Sequence, residues 1–181
     1  MEVFVIKIIS REEWKAAKNK TAFVKHYPKK ITVHHQGVGK GDEKKSIINL
    51  FKGAETIRSL QKLHQNVRGF ADIGYHALIA PNGDIYQGRP FDVIGAHTKN
   101  NNTGNIGIMF VGNMEVDKPT DLQMQSFKEL VIHLTTIFPQ LNIPKCIFGH
   151  KDFQPTDCPG KNLYPIIFDI KTGKNNLFEK E

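Results

Sequence analysis

The chemistry-bearing residues are concentrated in two places. One is Gly149-His150-Lys151-Asp152-Phe153-Gln154-Pro155-Thr156-Asp157-Cys158-Pro159-Gly160, where a histidine closes an apolar run and a cysteine follows on a proline-bounded loop. Imidazole and thiolate are both zinc ligands, and this separation lets one ion bridge them. Two ligands make no site, so a third must come from elsewhere, and the other dense spot is Ile31-Thr32-Val33-His34-His35. The spacing is not that of a structural zinc finger, which wants four Cys or His ligands in close pairs; three protein ligands leaving a position for water is the catalytic pattern. The competing reading is that these are packing residues, since the chain has eight histidines and free cysteine is among the most buried residue types. A disulfide between Cys146 and Cys158 is a further alternative; if Cys158 holds metal, Cys146 is a small apolar residue of its strand.

The elements that must position these residues follow from periodicity. Val3 to Ile9 reads as a strand and not as a leader, since it is short and interrupted by Lys7. Ser10-Arg11-Glu12-Glu13 has the form of a capping box and predicts a short helix through Trp14 and Lys18. The β-branched run Ile31 to His35 is a strand, and Ser46 to Arg68 is a helix with Ile57, Leu60, His64 and Val67 on one face, stopped by Gly69. His64 is there expected to be a hydrogen-bonded core residue. Ile73 to Ala80 and Ile85 to Gln87 flank Asn82-Gly83 and make a hairpin. Lys99 to Asn105 is a polar loop, and Ile106 to Val111 is a strand covered on both faces. Thr120 and Gln123 cap a helix carrying Phe127, Leu130, Val131, Leu134, Ile137 and Phe138 on a stripe, with His133 off it. Cys146 to Gly149 is the last strand and Asn162 to Ile170 a last helix. Together these predict a single α/β (mixed α+β) domain over 1–181, a central mixed β-sheet flanked by helices, with a core over about 9–170 and a charged tail over 171–181 that frays.

The formal charge is +7, with lysines spread along the chain. That is compatible with an anionic polymer such as a bacterial wall; no recognisable nucleic-acid-binding module is present. No apolar run has the length of a membrane span. A monomer is expected, synthesised in the cytoplasm and acting after release or export.

The motifs also match a family in their order. Ile9-Ser-Arg-Glu-Glu-Trp14, Ile31-Thr-Val-His-His35, Ile73-Gly-Tyr-His-Ala-Leu-Ile79 with Gly83-Asp-Ile-Tyr-Gln-Gly88, Gly95-Ala-His-Thr98, Ile106-Gly-Ile108 with Val111-Gly-Asn113, and Gly149-His-Lys-Asp to Asp157-Cys-Pro-Gly160 make the chain resemble zinc-dependent N-acetylmuramoyl-L-alanine amidases, the fold shared by phage lysozyme-type amidases and peptidoglycan recognition proteins. The resemblance implies Zn2+ held by His34, His150 and Cys158, with Tyr75 and Thr156 in catalytic positions and His97, Asn102 and His35 toward the substrate, although the strand alternation, which sets His35 on the face of Ile31 and Val33, favours a structural role for it. The substrate it implies is peptidoglycan, cut between N-acetylmuramic acid and the L-alanine of the stem peptide, with Tyr75 stabilising the oxyanion or orienting the water. Relatives that only bind peptidoglycan typically lack the cysteine, so Cys158 implies an enzyme, the alternative being a recognition protein without activity. The chain departs from the family pattern at Gln36, where many relatives have Thr or Ser, and at Asn101, where many have Tyr.

Overall fold

The computed structural model describes residues 6–39 and 41–178. Six strands form one sheet: β1 (Ile8–Ile9), β2 (Lys30–His35), β3 (Ala77–Ile79), β4 (Ile85–Gln87), β5 (Asn105–Phe110) and β6 (Ile147–Gly149), in the spatial order β1-β4-β3-β5-β2-β6. Only the β3–β4 hairpin is antiparallel; the other pairs are parallel, so the sheet is mixed. Three α-helices flank it: α1 (Ala54–Lys62), α2 (Asp121–Ile137) and α3 (Tyr164–Lys171).

The pleat divides the core in two. Ile31, Val33, Ile106, Ile108 and Phe110 join Phe127, Leu130 and Leu134 of α2 and Ile167 of α3 in one cluster. On the opposite face Leu78, Met109 and Val111 pack with Trp14, Ile57 and Ile73 in the second. Every residue of β5 is buried, as a central strand covered on both faces requires. The capping box of α2 is present, Thr120 Oγ1 accepting from Gln123 N at 3.0 Å and Gln123 Oε1 accepting from Thr120 N at 3.1 Å.

Three sequence expectations are corrected. The Ser10–Glu13 box forms, Ser10 N donating to Glu13 Oε2 at 2.7 Å, but only one turn follows. Lys15 sits at φ 57°, and the Ala17 backbone is taken by Gln61, which accepts from Ala17 N at 2.8 Å and donates to Ala17 O at 3.0 Å. Tertiary bonds thus replace the second helical turn. The second helix begins at Ala54 and not near Ser46, because the buried Asp117 carboxylate accepts from the amides of Ile47 and Ile48 at 3.1 and 3.2 Å and from the Ser46 hydroxyl, pinning that segment away from α1. The helix then widens into a π turn at Leu63–Val67, which rotates Val67 out to 75% exposure while His64 stays inside. The expected strand over Val3 to Ile9 is β1 at its end, residues 3–5 lying outside those described. Past Lys171, where fraying was expected, Leu177 and Phe178 return to pack against the α2 cluster. Among the described residues no helix is long and apolar enough to cross a membrane.

Candidate metal centre

The three residues that the resemblance implies as ligands converge. His34, the fifth residue of β2, and His150, just past β6, leave neighbouring parallel strands at the same sheet end, since Val33 pairs with Gly149. Cys158 is brought back by its own carbonyl, which accepts from Lys151 N at 3.0 Å. One ligand atom from each of His34, His150 and Cys158 lies within 4.8 Å of the others. A tetrahedral centre with ordinary zinc bond lengths would set sulfur and nitrogen about 3.6 Å apart; Cys158 Sγ stands 3.6 Å from His34 Nδ1.

The donor set also fits a cation electrostatically. Both ring nitrogens of His150 are buried without a hydrogen-bond partner, a costly state for polar atoms unless something else satisfies them. Burial holds His34 and His150 neutral, with their pKa values below the ordinary histidine range, and pushes the Cys158 thiol up to about 12. A divalent ion reverses that last effect, because a coordinating thiol gives up its proton. Cys146 is buried in the core and both cysteines are free.

Tyr75 places its ring 5.1 Å from that of His34, and burial raises its phenol above the ordinary tyrosine range, with Cys158 adding to the shift. Its hydroxyl makes no hydrogen bond among the described residues. Thr156 Oγ1 accepts from Cys158 N at 3.2 Å, bracing the ligand's backbone. His35 points to the opposite face, where its Nδ1 accepts from Met114 N at 2.9 Å and its ring borders a cavity of about 290 Å³ shared with Asn113 and Asp157. Asn102 Oδ1 accepts from the amides of His97 and Thr98 at 2.9 and 2.8 Å, so its carbonyl closes the loop. His97 is 9% exposed and lies against His34, its Nδ1 3.0 Å from His34 Nε2. His64 is the hydrogen-bonded core histidine expected, accepting from Gly74 N at 2.9 Å. A cleft of about 520 Å³ runs beside α1, bordered by Gln36, Phe51, Leu60 and Arg68.

Sequence reasoning missed the packing around His97. His76 and Asn105 surround it, and Gly107, a glycine inside an otherwise apolar buried strand, was the available signal, since such a residue marks a close approach.

The family model described as N-acetylmuramoyl-L-alanine amidase matches residues 24–161. Peptidoglycan-recognition protein SC2 of Drosophila melanogaster is 31% identical over 175 residues, covering 96% of this chain and 89% of that protein. Peptidoglycan recognition protein-LE, solved in complex with tracheal cytotoxin, a monomeric diaminopimelic acid-type peptidoglycan, superposes with a TM-score of 0.78 at 27% identity over 95% of each chain. The N-acetylmuramoyl-L-alanine amidase LysC from Clostridium intestinale URNW superposes with a TM-score of 0.72 at 27% identity, over 94% of this chain and 99% of that one. With a mixed sheet that both kinds of relative share and a family match spanning most of its length, the chain belongs to the N-acetylmuramoyl-L-alanine amidase family that includes the peptidoglycan recognition proteins.

Proposed function

We propose that the chain is a zinc-dependent peptidoglycan hydrolase that cleaves the amide between N-acetylmuramic acid and the L-alanine of the stem peptide, with His34, His150 and Cys158 as the zinc ligands. The observation that carries this is Cys158: its thiol stands at tetrahedral ligand spacing from His34, beside a His150 whose ring nitrogens have no other partner. Bound zinc supplies a Lewis acid and lowers the pKa of water in the open position to about 7. Tyr75 keeps its phenolic proton at working pH and, with its hydroxyl free of internal bonds, donates to the oxygen of the amide carbonyl as negative charge develops there. Thr156 holds the Cys158 amide and so fixes where the thiolate sits. Water adds its oxygen to the lactyl carbonyl carbon, the C–N bond breaks, and the alanine nitrogen leaves with a proton, giving a muramyl carboxylate and a free amino terminus.

The peptidoglycan fragment bound by recognition protein-LE supports peptidoglycan as the partner. The carboxylates in the ligand loop have other work: Asp152 accepts from Gly149 N at 3.1 Å and from the Tyr164 hydroxyl at 2.6 Å, and neither it nor Asp157 is in the ligand group. Glycosidic cleavage, which wants two acids flanking the bond, is therefore not the reaction this centre suits. Digestion of purified peptidoglycan tests the proposal: stem peptides beginning with free L-alanine should appear while glycan chains stay intact. New reducing ends without new alanine amino termini would refute it. Binding of peptidoglycan with no product, by protein carrying zinc, would leave the recognition function in its place.

A further inference from the structure

The imidazoles of His26, His76, His97, His34 and His150 form a row, successive ring centroids lying 5.9, 5.5, 5.0 and 4.4 Å apart. The first two end on peptide groups: His26 bonds Phe91 O and Gly104 N, and His76 bonds Val93 O and Gly107 N. Within the row, His97 and His34 are the neighbours that share a hydrogen bond, Nδ1 to Nε2 at 3.0 Å.

A backbone carbonyl decides which way the proton in that bond lies. His97 Nε2 is 3.1 Å from Asn105 O, and a carbonyl only accepts, so that nitrogen carries a hydrogen. The ring is buried and its hydrogen-bond partners are an imidazole, a hydroxyl and a carbonyl, with no carboxylate to balance a charge, so it sits there as the neutral form; a neutral imidazole has one N–H, and His97 Nδ1 is therefore bare and accepts. The Thr98 hydroxyl, 2.9 Å from the same nitrogen, is free to donate there as well. His34 Nε2 must then donate to His97, which leaves the lone pair of His34 on Nδ1, the nitrogen facing Cys158 Sγ. The opposite arrangement sets two lone pairs together at Asn105 O and puts a hydrogen on His34 Nδ1, in the middle of the ligand group.

From this geometry we infer that His97 is a positioning residue: its bare Nδ1 holds His34 in the Nε2–H tautomer and aims the Nδ1 lone pair of His34 at the metal position. The inference rests on the proposal that His34 is a zinc ligand, and it gives His97 a role other than the substrate contact expected from resemblance. The surroundings are built to keep the ring still. A Cβ on Gly95 would stand 2.5 Å from His97 Cδ2, and one on Gly107 2.5 Å from His97 Cγ, so the ring fills space that only glycine leaves open. Asn105, which orients the ring through its carbonyl, is itself tied by its side chain to Thr32 Oγ1 at 2.9 Å, on the strand that carries His34, and to Asn101 O at 2.8 Å. The strand that carries the ligand is thus bonded to the residue that orients His97.

Partners that orient metal-binding histidines typically account for about 10- to 100-fold in metal affinity. The test is the zinc dissociation constant of the full chain, measured by chelator competition, for the parental protein, His97→Ala and His97→Asn. His97→Ala should bind zinc about 10- to 100-fold more weakly, and His97→Asn, whose side-chain carbonyl can accept near the place of Nδ1, should recover part of that loss. Nitrogen NMR of the histidine rings in the parental chain without metal should find the His34 proton on Nε2. Zinc affinity unchanged in His97→Ala, with only KM raised, would overturn the inference in favour of a substrate contact, and so would a proton on His34 Nδ1. Should His97→Ala fail to fold, the NMR assignment decides. A parental chain that binds no zinc would sink the proposed function first, and the His34 tautomer would still be read separately.

Discussion

Replacing Tyr75 by phenylalanine removes one oxygen and leaves the ring, which is what makes the substitution informative. The ring packs 5.1 Å from His34 and 5.6 Å from His64 by centroid, and phenylalanine retains both contacts. Since the hydroxyl has no internal hydrogen bond among the described residues, its loss leaves no buried partner unsatisfied, and stability should change by no more than about 0.5 kcal/mol. Zinc content should be unaffected, because the substitution leaves His34, His150 and Cys158 in place. The transition state is another matter: an oxyanion donor is worth about 3 to 4 kcal/mol, a hundred- to thousandfold in kcat. The raised pKa of Tyr75 makes it a donor and not a base throughout the neutral range. The assay is release of alanine-terminated stem peptides at saturating peptidoglycan, with thermal melting and zinc analysis on the same preparation. A fall in kcat with zinc and melting temperature preserved is the expected result; hydrolysis at the parental rate would show that the hydroxyl has no part in the reaction, and a loss of zinc would show that the site has been misassigned.

Three other outcomes follow from the same geometry. Cys158→Ala should purify folded but with little zinc, whereas the parental protein carries one zinc per chain by elemental analysis; equal zinc in both would refute the ligand assignment. Gly107→Ala forces a Cβ to within 2.5 Å of His97 Cγ, so it should lower stability by about 1 to 3 kcal/mol through overpacking in chemical denaturation, and an unchanged midpoint would show that His97 is free to move. Burial holds His64 down to about 4 and His76 down to about 3, while an unfolded histidine titrates near 6.5. Between those values the unfolded chain binds more protons than the folded one, so the stabilisation is whole above about pH 6.5 and is lost as pH falls, by about 1.4 kcal/mol per pH unit for each such histidine. Melting of metal-free protein from pH 7 to 4 measures this, and a flat melting temperature across that range would contradict it.

What the sequence made legible was local. The β-branched run at Ile31, the Asn82-Gly83 hairpin, the Thr120–Gln123 cap and the α2 stripe from Phe127 to Leu134 each encode their structure within a few residues and formed as read, whereas Ile137, expected on the same stripe, is exposed at the helix end and Phe138 lies past it. The failures are tertiary. Gln61 takes the Ala17 backbone from a position 44 residues away in sequence, and Asp117 captures amides about as far from it as 70 residues; a capping box or a helical period carries no trace of either. The π turn at Leu63–Val67 is equally silent, because a single widened turn leaves the apolar period intact up to His64 and spoils it only at Val67. At the candidate site, residue types and spacing gave His150, Cys158 and the pair His34-His35, and the resemblance chose His34, yet the partner that orients His34 lies 63 residues along the chain and is defined by a ring nitrogen, which no spacing rule describes.

The adjacent pair His34-His35 shows how the fold turns an ambiguous sequence into a definite site. Both imidazoles are available at the same strand end, and side chains in a strand alternate between faces, so the pleat alone decides which one meets Cys158. β2 is held in register along both edges: all six of its residues pair with β5, from Lys30 with Asn105 to His35 with Phe110, and three pair with β6. That register puts His34 beside Met109 on the face with His97, and His35 beside Phe110 on the face of α2, where Met114 N occupies its Nδ1. A slip of one residue would exchange the two faces, putting His35 toward the ligand group, Ile31 and Val33 out of the α2 cluster, and Thr32 and His34 into it. Both faces of β2 are buried, so the slip would set the Thr32 hydroxyl and the His34 imidazole among apolar side chains without partners, and that desolvation cost guards the metal position as well as the core. In this chain the specificity of the candidate centre comes from the alternation of Ile31, Thr32, Val33 and His34 along one doubly buried strand, in which each side chain suits only one face.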